Sequence, residues 1–266
     1  MLLLAESLKK LYNTHIMVNK EDKKINQLEQ AHLDFISTVS HELRTPLTSI
    51  RGFADTLLSS YDRLTPEQIE KFLFIIKDQS NRLIKLVENL LTVSKMQSEK
   101  ELMVYKTIEV TPFIEAVVQM IKSQYKTHKY ICNYEKNLPK ILVDTDKFQQ
   151  ILLNLIDNAS KYSPENSTVE INVGQNYKEN TLFIKIKDNG YGINPEDIDK
   201  IFNKFSRIDS PLTRKIQGNG LGLYITKILV EKMNGKINVA SSDKGSEFTI
   251  TFKIATTEDS IKKIKE

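Results

Sequence analysis

Residues 36–61 read ISTVSHELRTPLTSIRGFADTLLSSY, and their spacing decides the architecture of the N-terminal part of the chain. Ile36, Leu43, Ile50 and Leu57 recur at heptad spacing, and Ser40, Leu47, Ala54 and Tyr61 form the companion row. Such a repeat is the seam of packed helices. Phe35, Val39, Pro46 and Phe53 widen the apolar face beyond a two-stranded seam, a width that suits a four-helix bundle.

Leu64 to Glu67 reads as a turn and a restart. Thr65 is a fitting N-cap, Pro66 takes the first helical position, and Glu67 and Glu70 favour the first turn. A second helix is predicted to run to about Ser98, with its seam at Ile69, Leu73, Ile76, Leu83, Val87 and Leu90 and a polar interruption at Ser80. Two helices with broad apolar faces cannot cover each other fully. The expected remedy is an isologous homodimer. Residues 1–27 continue the helical pattern weakly through the polar run Glu21 to Lys24, and read either as an input helix or as a disordered leader.

The texture changes near residue 102. Strand-like and helical runs then alternate: strand 102–109, helix 111–126, strands 128–134 and 141–143, helix 145–161, strands 168–174 and 181–187, an irregular stretch 188–218, helix 219–233, and strands 236–241 and 246–254. That order predicts helices on one face of a largely antiparallel or mixed sheet. An irregular stretch so long is more often a functional lid than a defect.

Composition removes several classes. A net charge of +4, with acidic and basic residues interleaved, provides neither a nucleic-acid tract nor a polybasic membrane anchor. Cys132 stands alone in the sequence, so no internal disulfide forms; it reads as a packing residue in a reducing compartment. No apolar run reaches the ~18–20 residues that span a bilayer. The chain is expected to be cytoplasmic, with any membrane link made through a sensor region outside it.

His41 begins the segment His-Glu-Leu-Arg-Thr-Pro-Leu, residues 41–47. At ~100° per residue it points about 160° away from Leu43, hence toward water. Thr45 lies one turn on along the same face, Glu42 flanks it, and Pro46 removes the backbone bond to Glu42. Taken alone, His41 could be a surface histidine. A neighbouring carboxylate that takes a proton from one ring nitrogen leaves the other nucleophilic. His15, His32 and His128 have no such setting.

Three further motifs carry groups that can meet a metal, a phosphate or a flat ligand. Asn154, Asn158 and Lys161 form one polar helical stripe, ending at Tyr162. Amide carbonyls at that spacing suit Mg²⁺ and the lysine suits phosphate, although an exposed polar face would look alike. Asp188, Gly190 and Gly192 follow a strand; the aspartate can accept from an exocyclic amine, although Asp-Asn-Gly is also common turn chemistry. Gly218, Gly220, Leu221 and Gly222 open a helix and offer backbone N–H groups to phosphate. This run is neither a P-loop nor a Rossmann fingerprint.

Residues 41–47 resemble the H-box of sensor histidine kinases without a departure. The later motifs resemble, in order, the N-box (154–162), G1-box (188–193), F-box (202–207) and G2-box (218–223) of that family. The resemblance implies a helical-hairpin dimerisation and phosphotransfer domain over 28–98 and a Bergerat-type α/β sandwich over 99–257, followed by a tail at 258–266. It implies ATP and Mg²⁺ as cofactors. Asn158 would be the main metal ligand and Asn154 its helper. Lys161 and Tyr162 would contact phosphates, Asp188 the adenine amino group, and Arg207 the γ-phosphate, with Phe202 and Phe205 anchoring the lid. His41 would accept phosphate, with Glu42 and Thr45 in support, and a response regulator would receive it. Asn219 stands where the family usually has Thr or Ser. The rivals are another ATPase of the same superfamily, which the helices carrying His41 oppose, and a non-catalytic scaffold or regulator phosphatase.

Overall fold

The computed structural model describes residues 30, 33–97, 103–206 and 218–256. The chain divides into two compact units, Met1–Leu86 and Val87–Glu266. The expected input helix at 1–27 and tail at 258–266 lie outside the described residues.

In the first unit, helix α1 covers 33–60 and runs without interruption through Pro46. Hydroxyls of Thr38, Ser40 and Thr56 donate to carbonyls one turn back, which keeps these polar side chains from competing for other backbone conformations. A 3₁₀ turn, Tyr61–Arg63, ends the helix. Helix α2, Pro66–Gln97, begins in this unit and runs past Leu86 into the second. It starts on a reciprocal capping box: Gln68 N–H donates to Thr65 Oγ1 at 3.3 Å, and Thr65 N–H to Gln68 Oε1 at 2.9 Å. The cap is the one expected at Thr65, with Gln68 as its unforeseen partner. Phe53 and Phe72 join the helices, with ring centroids 5.1 Å apart. The seam residues Ile36, Leu47 and Leu73 stay 49%, 51% and 53% exposed in the single chain. One hairpin therefore leaves part of its seam uncovered.

The second unit is built on a five-stranded sheet in the order β2-β4-β5-β7-β6. Its strands are β2 (Lys129–Tyr134), β4 (Thr168–Asn176), β5 (Thr181–Lys187), β6 (Lys236–Ser242) and β7 (Gly245–Lys253). Only the β2–β4 pair is parallel. A separate ribbon pairs β1 (Tyr105–Ile108) with β3 (Ile141–Asp144). Helices α3 (Val110–Gln124), α4 (Thr145–Lys161) and α5 (Gly222–Lys232) complete the unit. Alternate residues of the central strands, such as Leu182, Ile184 and Ile186 of β5, are fully buried. Phe148 of α4 meets Phe113 and Phe252 edge-on, at 6.0 and 5.7 Å. Asp144 caps α4, accepting from the N–H groups of Asp146 and Lys147.

Two details depart from the sequence reading. Helix α5 begins at Gly222 instead of 219, because Gly220 adopts φ +65°, a left-handed conformation no helix continues. The stretch after β5 contains a 3₁₀ turn, Pro195–Asp197, and ordered turns up to Phe205; 207–217 lie outside the described residues. Among the described residues no helix is long and apolar enough to cross a membrane.

Candidate active site

On α1, His41 and Thr45 are exposed, one turn apart. Thr45 Oγ1 donates to the His41 carbonyl at 3.2 Å, which leaves the hydroxyl oxygen free to accept. Glu42 is half-buried and turned toward α2, where Arg82 Nη2 lies 3.6 Å from its Oε2. The pair is largely covered, with the side chains 25% and 19% exposed. No sequence spacing links residues 42 and 82, so Arg82 escaped the sequence reading. Thus three residues of the 41–47 segment divide their work: His41 and Thr45 face solvent, and Glu42 is held from below.

In the second unit, α4 carries Asn154, Asn158 and Lys161 as one stripe of half-buried side chains beside its fully buried apolar face. Asn154 Nδ2 reaches the Gly222 carbonyl and Thr226 Oγ1, each at 3.4 Å, which ties α4 to the start of α5 and leaves the amide oxygen of Asn154 uncommitted. The Asn158 side chain makes no hydrogen bond among the described residues. Lys161 Nζ stacks over the Tyr162 ring at 5.5 Å, and a Cβ at Gly218 would sit 2.9 Å from that ammonium. The lysine and the first glycine of the 218–222 loop therefore share one corner. The oxygen donors suit a hard cation held jointly with phosphate oxygens, since Mg²⁺ often takes only one or two protein ligands. No cluster of three or more His, Cys, Asp or Glu able to hold a metal occurs among the described residues.

Asp188 directly follows β5 and is buried at 5% exposure. Its Oδ1 accepts from Gly190 N–H at 2.8 Å and Ser246 N–H at 3.1 Å, while Oδ2 takes no hydrogen bond among the described residues. One oxygen is thus fixed by backbone and the other is available to an amino donor. The loop after it is drawn onto the end of α4: Tyr191 N–H donates to the Tyr162 carbonyl at 3.2 Å. Gly192, at φ +68°, lies against the Ser242 carbonyl, where a side chain would collide. The Ser246 N–H, in the turn through Gly245, orients Asp188.

Burial pushes the Asp188 carboxyl above its ordinary value, and the backbone N–H groups of Gly190 and Ser246 pull it partly back. A carboxyl whose folded value is raised destabilises the fold once ionised; that penalty vanishes below the unfolded value. Asp188→Asn keeps an oxygen for both N–H groups and removes the buried charge. Its Tm should exceed the wild type's at pH 7, with the gap closing as pH falls through the carboxyl range, while affinity for adenine nucleotides drops. Thermal melts from pH 3.5 to 7.5, paired with nucleotide titrations, check both signs.

The loop 218–222 meets the rest of the site through its backbone. Leu221 N–H donates to Asn219 Oδ1 at 3.2 Å, so Asn219 serves locally as a turn residue. Among the described residues no side chain caps α5, and its first-turn N–H groups can meet an anion. A Cβ at Gly220 would come within 2.6 Å of the Phe205 backbone, so the loop presses on the end of the 202–205 segment. Phe202 lies under Lys227 at 5.6 Å. Arg207 lies outside the described residues. The structure therefore gathers Asn154, Asn158, Lys161, Tyr162, Asp188 and the glycines of both loops in one unit. Tyr125, whose hydroxyl donates to Asp157 Oδ1 at 2.9 Å, braces α4 from behind and was not anticipated. Cys132 is half-buried and burial pushes its thiol up, as suits a packing residue.

Residues 31–99 match the model of the His Kinase A (phospho-acceptor) domain, and residues 143–256 that of the histidine kinase-, DNA gyrase B- and HSP90-like ATPase. With both domains in this order, the chain belongs to the sensor histidine kinases of two-component systems. It is 37% identical over 237 residues to the sensor protein kinase WalK of Staphylococcus aureus, covering 88% of this chain and 56% of that protein. Other curated relatives are longer, and the chain spans about 38% of their length. Among solved structures, full-length ShkA in complex with AMPPNP has a TM-score of 0.61 at 26% identity, covering 83% of this chain and 46% of that one. The histidine kinase ThkA in complex with the response regulator TrrA has a TM-score of 0.68 at 21% identity, covering 84% and 61%, a likeness of fold. The phosphoacceptor domain answers the rival of another ATPase of the same superfamily.

Proposed function

We propose that this chain transfers the γ-phosphoryl group of ATP to Nε2 of His41 and then to an aspartate of a response regulator. The observation that carries the reading is an exposed His41 in a chain that also assembles a nucleotide cradle with uncommitted groups: the Asn158 amide, Asp188 Oδ2 and the uncapped start of α5. Asn158 and Asn154 would hold Mg²⁺ through their amide oxygens. That ion would neutralise phosphate charge. Lys161, Tyr162 and Arg207 would contact phosphates, with the backbone N–H groups around Gly218, Gly220, Leu221 and Gly222. Asp188 would receive the adenine amino group.

In the transfer, the bond from Nε2 to phosphorus forms as the bond from phosphorus to the β,γ-bridging oxygen breaks, and ADP leaves with that electron pair. The imidazole proton on Nδ1 passes to Glu42, whose carboxylate Arg82 steadies. In the transfer to the regulator, the bond from an aspartate oxygen to phosphorus forms as the Nε2–phosphorus bond breaks, and Nδ1 takes its proton back from Glu42, which restores neutral His41. The exposed seam at Ile36, Leu47 and Leu73 would be covered by a second copy, giving a homodimeric four-helix bundle over residues 28–98. The nucleotide-binding domain would occupy 99–257, and the kinase would work in the cytoplasm. Purified chain incubated with γ-labelled ATP should acquire acid-labile, base-stable label. Base-labile label, or none, would sink this reading against that of a scaffold.

Thr45 favours a second activity, dephosphorylation of the regulator. Its hydroxyl is exposed beside His41 and can still accept a hydrogen bond, so it can hold a water for attack on an acyl phosphate. Losing one neutral hydrogen bond costs ~0.5–1.5 kcal/mol, up to about tenfold in rate. Thr45→Ala should lower regulator dephosphorylation by about tenfold and autophosphorylation only slightly. Rates measured on the same purified dimer separate the two; equal losses would reduce Thr45 to a support of the helix.

A further inference from the structure

Asp188, Ser246 and Ser241 stand in one row at the same end of three neighbouring strands. Ser246 of β7 lies opposite Ser241 of β6 in the strand register. On its other side Ser246 meets Asp188: the Asp188 N–H donates to the Ser246 carbonyl at 2.9 Å, and the Ser246 N–H to Asp188 Oδ1 at 3.1 Å. Ser246 is 6% exposed and Ser241 is half-buried. The remaining oxygen of Asp188, Oδ2, is the one assigned above to an amino donor.

The protons of this row can be counted. A serine hydroxyl has one proton to give and two lone pairs to accept with. Ser241 Oγ touches three groups: the Ile193 N–H at 2.8 Å, the Gly245 carbonyl at 3.1 Å and Ser246 Oγ at 2.8 Å. The first can only donate and the second can only accept. All three contacts are hydrogen bonds when Ser241 gives its proton to Gly245, and the bond between the two hydroxyls then runs from Ser246 to Ser241. Both protons are spent. Ser246 Oγ makes no other hydrogen bond among the described residues. Beside Asp188 it therefore offers lone pairs only, next to a carboxylate oxygen that likewise only accepts.

We infer that Ser241 is a positioning residue for nucleobase selectivity: by taking the Ser246 proton it keeps the corner around Asp188 free of donors, which favours a 6-amino purine over a 6-oxo purine. The inference rests on the reading of Asp188 as partner of the adenine amino group. An exocyclic amine brings hydrogens to acceptors. A 6-oxo group brings lone pairs to lone pairs, and a polar group left unpaired in a buried site is costly. Selectivity is a difference of two affinities, so what the corner repels counts as much as what it holds. The β5–β7 and β6–β7 ladders fix the backbone of the row but not the direction of a hydroxyl. Without the Ser241 hydroxyl the strands stay paired and the Ser246 proton is released. It can turn to a 6-oxo group, which gains a donor, or to Asp188, which then holds an amine less well. Either choice narrows the preference.

Equilibrium affinities for ADP and for inosine diphosphate are measured on the 266-residue chain with Mg²⁺ present. The wild type should prefer ADP. In Ser241→Ala the ratio of the two affinities should narrow by about threefold or more, the size of one neutral hydrogen bond. Ser241→Thr keeps a hydroxyl and should hold the wild-type ratio. Ser241→Cys keeps the volume with a weaker donor and acceptor, and its intermediate narrowing carries the test should Ser241→Ala fail to fold. A residue that merely braces the 188–193 loop would lower both affinities together. An unchanged ratio in Ser241→Ala, or a ratio that narrows as much in Ser241→Thr, overturns the role of Ser241. Wild-type chain that binds ADP no better than inosine diphosphate overturns instead the reading of Asp188, a result visible before any variant is made.

Discussion

His41→Gln is expected to reduce phosphorylation of the chain from ATP to background while leaving nucleotide affinity within about twofold. His41 is exposed, and its side chain makes no hydrogen bond among the described residues, so truncating its chemistry disturbs no packing. Gln is a good helix former and stays polar, and surface substitutions of this kind usually change stability by no more than about 0.5 kcal/mol. The nucleotide cradle is made entirely within the other unit, from α4, α5 and the loops that join them to the sheet. Label is counted on purified protein and ADP affinity is measured alongside. Retained acid-labile label would move the acceptor to another histidine. His128 is a poor alternative: its Nε2 is buried with no hydrogen-bond partner among the described residues, and its ring packs edge-on against Tyr125 at 5.7 Å.

Much of this site was legible because its parts are local in sequence. Helix α4 follows from a stripe of Asn154, Asn158 and Lys161 set beside Phe148, Leu152, Leu155 and Ala159, and its observed limits, Thr145–Lys161, are those the pattern predicts. Strand β5 was equally plain, since Leu182, Ile184 and Ile186 alternate with outward residues. The Thr65 cap and Pro66 announced α2 through the same short-range chemistry. What stayed hidden depends on register between distant segments. The Glu42–Arg82 pair exists only once α1 and α2 pack at one offset. The Ser246 N–H on Asp188 arises because β5 and β7 pair so that Lys187 faces Glu247. Asp144 could be read as a cap, but its second oxygen meets Val104, forty residues earlier, and no local pattern reports that. The start of α5 was placed three residues early because a left-handed Gly220 is invisible in a helical periodicity.

Asn158→Ala should abolish Mg²⁺-dependent nucleotide binding, and kinase activity with it, while the protein stays folded and keeps its oligomeric state. The Asn158 side chain is half-buried on α4 and makes no hydrogen bond among the described residues, so its loss strands no partner and opens no apolar cavity. Ala is the better helix former, which offsets part of any cost to the fold. A protein oxygen bound to a divalent ion contributes at least as much as a hydrogen bond to a charged group, ~1.5–3 kcal/mol, so affinity should fall by more than about tenfold. The dependence on metal identifies the cause. With Mg²⁺ removed by chelation, the wild type should weaken to the level of the variant, and the variant should change little. If affinity falls in Asn158→Ala equally with and without Mg²⁺, the side chain touches the nucleotide directly and the metal ligand must be sought elsewhere, with the uncommitted oxygen of Asn154 the next to test. If the variant binds and labels as the wild type does with Mg²⁺ present, the polar stripe of α4 is a solvated face. Sedimentation of both proteins completes the measurement, because the apolar seam that would join two copies lies at Ile36, Leu47 and Leu73, in the unit that does not contain Asn158.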